Sequence, residues 1–222
     1  MRKIWLCVLT IPLLLLTACQ SGESSEATTE ETARQIRTEY LAAQSCGGTV
    51  ELTADYGMRV YEFTMDFTWQ KEGESVLTLT APEEVAGLTA RLEAGGSYLE
   101  YDGLRLGTGD LTGEGLTPME LVPAVMEYVL EGYMAECVFE DWGETPALRV
   151  LYRDPEGEAG QGVECTQWFA ADTHALLAAE LSYDGTLVLS STFTTFYIGD
   201  DSTDGSEQDT DLGGDQPGES GA

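Results

Sequence analysis

Apolar side chains along most of this chain recur at every second position, which predicts strands with one buried face. The clearest run sets Tyr61, Phe63, Met65, Phe67 and Trp69 against Glu62, Thr64, Asp66, Thr68 and Gln70. One face is wholly apolar and the other nearly all polar, as in a half-buried antiparallel strand. Before it, Val50, Leu52 and Ala54 alternate with Thr49, Glu51, Thr53 and Asp55. After a turn at 71–74, strands are predicted at 76–80, 88–94, 98–101 and 104–106. Pro82 closes the first of these, and Asp102-Gly103 is a hairpin signal before the last. A second set follows at 137–139, 147–152, 163–170, 176–183 and 186–198, with another hairpin signal at Asp184-Gly185.

Two segments show the 3.6 period instead. Over 28–43, Ala33, Ile36, Tyr40 and Ala43 fall on one helical face, Thr28 or Thr29 caps the start, and Gly47-Gly48 is expected to end the segment. A glycine-rich loop at 107–115 leads to the second. There Thr117 is the cap, Pro118 takes the first position, and Glu120 completes a Thr-x-x-Glu capping box. Met119, Val122, Met126 and Val129 form a stripe that Leu121 and Val125 widen, so this helix is buried on more than one side. Pro123 predicts a kink, or a helix confined to the second half. A helix, about six strands, a buried helix and about five strands make an α+β fold. An open sheet of about eleven strands must curl or be covered, so we expect a strongly curved antiparallel half-barrel whose apolar face wraps the helices.

The beginning of the chain changes the setting. Arg2 and Lys3 precede a short apolar run from Ile4 to Leu16, and Leu16-Thr17-Ala18-Cys19 follows. A basic start, a short apolar core and small residues before the cut describe a secretory signal. The cysteine directly after them is similar to a bacterial lipobox, in which the thiol receives a diacylglycerol. We therefore expect a signal peptide at 1–18, a flexible tether at 19–27 running from lipidated Cys19, one folded domain at 28–199, and a disordered acidic tail at 200–222. The partner this implies is a membrane, held through the lipid anchor, and the location is extracytoplasmic.

Charge and cysteine content narrow the classes. The formal net charge is −30, with only 10 basic residues in 222, two of them in the signal. That field repels phosphate backbones, so no nucleic-acid partner is expected. Cys46, Cys137 and Cys165 remain in the domain, an odd number that permits at most one disulfide and equally fits buried free thiols. No CxxC is present and His174 is the only histidine, so no metal centre and no cofactor are expected. His174 sits between two strands, where a histidine is usually solvated. Gly107, Gly109 and Gly113 miss the dinucleotide spacing. Asp200, Ser202, Asp204, Gly205 and Asp211 match a calcium-loop spacing without the flanking helices such a loop needs. No catalytic constellation emerges, and the chain is expected not to be an enzyme.

The element order, together with Thr80-Ala-Pro-Glu-Glu-Val-Ala-Gly87 and Leu99-Glu-Tyr-Asp-Gly103, resembles the LolA-like lipoprotein-carrier family, which includes LppX-type and RseB-type domains. The carrier's Arg-Pro-Gly-x-Phe-x-Trp segment is absent from this chain. The resemblance implies a half-barrel with helices as a lid over an apolar cavity. With the alternation above, it implies a lining of Tyr61, Phe63, Met65, Phe67 and Trp69, joined by Leu77, Leu79, Leu88, Ala90 and Leu92, with Met119, Val122 and Met126 from the lid. Binding of a lipid or other apolar ligand is the function this suggests. The alternative is a module for protein interaction or sensing at the cell envelope without a small ligand, as in RseB-type domains.

Overall fold

The computed structural model describes residues 21–93, 96–109 and 115–199, with side-chain surroundings from residue 28 onward. Helix α1 (Ser21–Ala42) leads into six strands: β1 (Ser45–Asp55), β2 (Val60–Gln70), β3 (Ser75–Ala81), β4 (Thr89–Glu93), β5 (Gly96–Tyr101) and β6 (Leu104–Gly109). Helix α2 (Leu121–Glu131) then precedes β7 (Tyr133–Trp142), β8 (Thr145–Arg153), β9 (Val163–Ala170), β10 (Leu176–Tyr183) and β11 (Thr186–Gly199). All eleven strands join one sheet in the order β6-β5-β4-β3-β2-β1-β11-β10-β9-β8-β7. Every pairing is antiparallel, and nearly every connection is a hairpin between neighbours. Asp102-Gly103 and Asp184-Gly185 make two of these turns, each with both residues at positive φ, as the hairpin signal requires.

Curvature follows from what the strands reach. Strands β1 and β9 stand three spacings apart, roughly 14 Å on a flat sheet. Yet both touch consecutive residues of α2: Cys46 Sγ lies 3.6 Å from Met126 Sδ, and Gln167 Nε2 donates to the Val125 carbonyl at 2.8 Å. The sheet therefore wraps the helix, as a half-barrel does. Strands β6 and β7 are its two open edges, so the sheet does not close among the described residues.

Helix α1 crosses the same concavity. Tyr40 is fully buried, edge-on to Phe169 of β9 at 5.6 Å and stacked with Phe196 of β11 at 6.0 Å. Arg37 ties α1 to α2. Its guanidinium donates to the Val129, Tyr128 and Gly132 carbonyls and so caps the end of α2, where a cation meets the negative end of the helix dipole. Ala33, Ile36, Tyr40 and Ala43, the expected helical face, are all buried.

The structure departs from the sequence expectations in local ways. Helix α1 starts at Ser21, inside the segment expected to be tether. Gly47 and Gly48 do not end a segment; they lie within β1, where a Cβ would strike the Tyr197 ring at one and the Thr195 carbonyl at the other. Gly107 and Gly109 belong to β6 rather than to a loop. Helix α2 opens at Leu121, so Pro123 lies in its first turn, where its missing N–H costs nothing. Thr117 does meet Glu120, hydroxyl to carboxylate at 2.8 Å, but in the turn before the helix. All three cysteines are free.

Candidate functional site

The concave face is the candidate site, and its residues stand in register. Phe67, Leu77, Ala90, Leu99 and Leu106 lie opposite one another in turn on β2, β3, β4, β5 and β6. This one stripe spans four strand spacings, about 19 Å. Its burial changes along its length. Phe67 is 3% exposed, Leu77 2% and Ala90 5%; Leu99 is half-buried and Leu106 is 66% exposed. In the next row Leu104, opposite Tyr101, is 75% exposed. Helix α2 covers the first part, and nothing among the described residues covers the last.

The expected lining residues divide along the same line. Met65, Phe67, Trp69, Leu77, Val122 and Met126 meet in one buried cluster, strands against helix. Phe63, Leu79 and Met119 pack at its margin, half-buried. Met119 belongs to the turn before α2 rather than to the helix itself. Tyr61 stands outside, stacked on Phe63 at 6.2 Å and in edge contact with Tyr56, whose hydroxyl donates to the Leu116 carbonyl. Leu88 and Leu92 are half-buried. Side chains buried to this degree under α2 act as core; those toward Tyr61 and β6 keep an open side. Leu99, Leu104 and Leu106 were read from the sequence as strand residues but were not assigned to the apolar face. Their alternation was the available signal. Cys19 and the calcium-like spacing at 200–211 lie outside the described residues.

Polar groups at the rim of the concavity secure α1. His174, in the β9–β10 turn at φ 56°, is not simply solvated: its Nδ1 lies 2.6 Å from a Glu39 carboxylate oxygen. Its carbonyl accepts the Tyr40 hydroxyl at 3.0 Å. Partial burial raises the Glu39 pKa, but hydrogen bonds from His174 and Gln35 outweigh that and leave it below the ordinary value. Among the thiols, burial pushes Cys46 and Cys165 up to about 12, so neither is a nucleophile near neutrality. No group of His, Cys, Asp and Glu among the described residues could hold a metal ion. No described helix is long and apolar enough to cross a membrane.

No protein family matches the chain, and no curated protein does. Several solved structures are similar to it in outline. The lipoprotein LppX of Mycobacterium tuberculosis matches at 14% identity and TM-score 0.46, covering 78% of this chain and 96% of that one. LprF of Mycobacterium bovis matches at 12% and 0.44, covering 78% and 97%. The LolA superfamily protein NE2245 of Nitrosomonas europaea matches at 12% and 0.37, covering 79% and 94%. The half-barrel architecture rests on this chain's own strand order and packing.

Proposed function

We propose that this chain is a non-enzymatic, extracytoplasmic lipoprotein, anchored through Cys19, that holds a lipid or other apolar ligand against the uncovered end of its half-barrel. One observation carries this: the apolar stripe from Phe67 continues beyond the buried cluster around α2 and ends at Leu106, exposed among the described residues. An uncovered apolar face is costly in water, and contiguous patches of this kind mark ligand or partner surfaces. The ligand would lie along Leu99, Leu104 and Leu106 and reach toward Leu79 and Phe63. It would not lie between the sheet and α2, where Met65, Phe67 and Met126 already fill the space.

That same filled core favours a second use, docking of an envelope protein on the bare end without a small ligand. Native mass spectrometry of the chain purified from membranes, followed by solvent extraction, separates the two. A bound lipid mass that is lost in Leu99→Glu and Leu106→Glu supports the ligand. A clean apo mass, with no uptake of added fatty acid or phospholipid, overturns it in favour of a protein partner.

A further inference from the structure

The outer face of the sheet carries a second apolar centre that the packing around α2 does not use. Trp168 of β9 and Trp142 at the end of β7 lie with ring centroids 4.7 Å apart, clustered with Ala147 and Ala178. Beside them an open groove of about 590 Å³ crosses β2, β1, β11 and β10, with Trp142 and the Ala81-Pro82 segment both in its lining. Register sets its floor. Glu62, Thr53, Ser190 and Glu180 stand opposite one another in turn on those four strands. Glu51 lies between Thr64 and Thr192 in the adjacent row. At the usual strand spacing, Glu62 and Glu180 are about 14 Å apart across the groove.

Charge distinguishes this groove from the arginine-bridged parts of the sheet. Elsewhere two arginines each bridge a pair of carboxylates: Arg91 bonds Glu74 and Glu100, and Arg149 bonds Glu136 and Glu140. The lining of the groove holds three carboxylates and no basic side chain, and Glu51, Glu62 and Glu180 have neither ion pair nor hydrogen-bond partner among the described residues. Partial burial also raises the Glu180 pKa, which an incoming cation would reverse.

We propose that this groove docks an extended, lysine-rich segment of a partner protein. Trp142, half-buried against Trp168 but in the lining of the groove, adds an indole against which ammonium groups and their alkyl stems would pack. The span from Glu62 to Glu180 equals about four residues of extended chain, so lysines on one side of such a segment can reach both ends. The groove lies on the opposite face of the sheet from Leu99 and Leu106, so it stands or falls apart from the apolar ligand.

The test must distinguish the groove from the general attraction of a strongly acidic chain. Binding of fluorescein-labelled octalysine to the full-length chain is measured by anisotropy at about 150 mM salt, where the long-range field is screened. The groove triple Glu51→Gln, Glu62→Gln and Glu180→Gln is compared with Glu31→Gln, Glu72→Gln and Glu127→Gln, three exposed acids outside the groove that change the net charge equally. The groove triple is expected to bind about tenfold more weakly and the control triple less than about twofold. Trp142→Ala, at constant charge, is expected to weaken binding about threefold. Equal losses in both triples, unchanged binding in Trp142→Ala, or no binding by the unaltered chain overturns the proposal. Spermine that competes as tightly as unlabelled octalysine overturns the peptide and leaves a small-amine site.

Discussion

Phe67 and Leu106 belong to one stripe on one face of one sheet, yet the first is 3% exposed and the second 66%. Both obey the same alternation, and nothing in their own segments distinguishes them. The difference is α2. Its apolar residues Leu121, Val122, Val125, Met126 and Val129 share one buried cluster with Phe67, Leu77 and Ala90, with Leu99 at its margin, and Leu104 and Leu106 do not join it. This half-barrel therefore has two regions, one covered and one that stands exposed among the described residues. The comparison teaches that amphipathic alternation identifies a buried or bindable face without saying which.

Substitutions sharpen the contrast. Phe67→Ala opens a cavity among fully packed neighbours and is expected to cost about 3–5 kcal/mol in denaturant unfolding. A loss under about 1 kcal/mol would mean that α2 covers β2 loosely and that the two regions are one. Arg37→Ala leaves carbonyls at the end of α2 without their charged donor and removes the link between the helices. About 1–3 kcal/mol of destabilisation is expected, together with faster hydrogen exchange in α2 than in β9.

A smaller effect concerns pH. Because the folded Glu39 pKa lies below its ordinary value, the stability from this contact is present above that ordinary value. It is lost as pH falls through the lowered folded pKa. Glu39→Gln should flatten that acid-side decline slightly, by well under about 1 kcal/mol for so exposed a carboxylate. An unchanged slope in a pH series of unfolding midpoints would show that the His174 contact does not hold α1. The least effect on stability is expected at the bare end: Leu106→Ala should stay within about 0.5 kcal/mol. If it instead costs as much as Phe67→Ala, the end is not bare in solution.

Much of the fold was legible. The strand periods, both Asp-Gly hairpins and the apolar stripe of α2 each predict their element, because alternation, turn chemistry and helical spacing are local. The misplaced boundaries share a different cause. Gly47 and Gly48 read as a terminator but serve the close approach of Tyr197 and Thr195, residues some 150 positions away. The site was half legible. Tyr61 to Trp69 and Leu77 were identified as one apolar face, but which of them would be sealed was not, since that depends on where α2 comes to rest. The row of Glu62, Thr53, Ser190 and Glu180 was invisible, because it exists only once β1 pairs with β11.

The sequence alone therefore determined the inventory: which segments are strands, which helix is apolar enough to be buried, and which face of each strand avoids water. Only the tertiary structure decided how that inventory is used. It placed β1 beside β11, curled the sheet around α2, buried one end of the apolar stripe, left the other open, and set three carboxylates beside Trp142. The reason is that secondary structure responds to neighbours in the chain, whereas burial and charge pairing respond to neighbours in space.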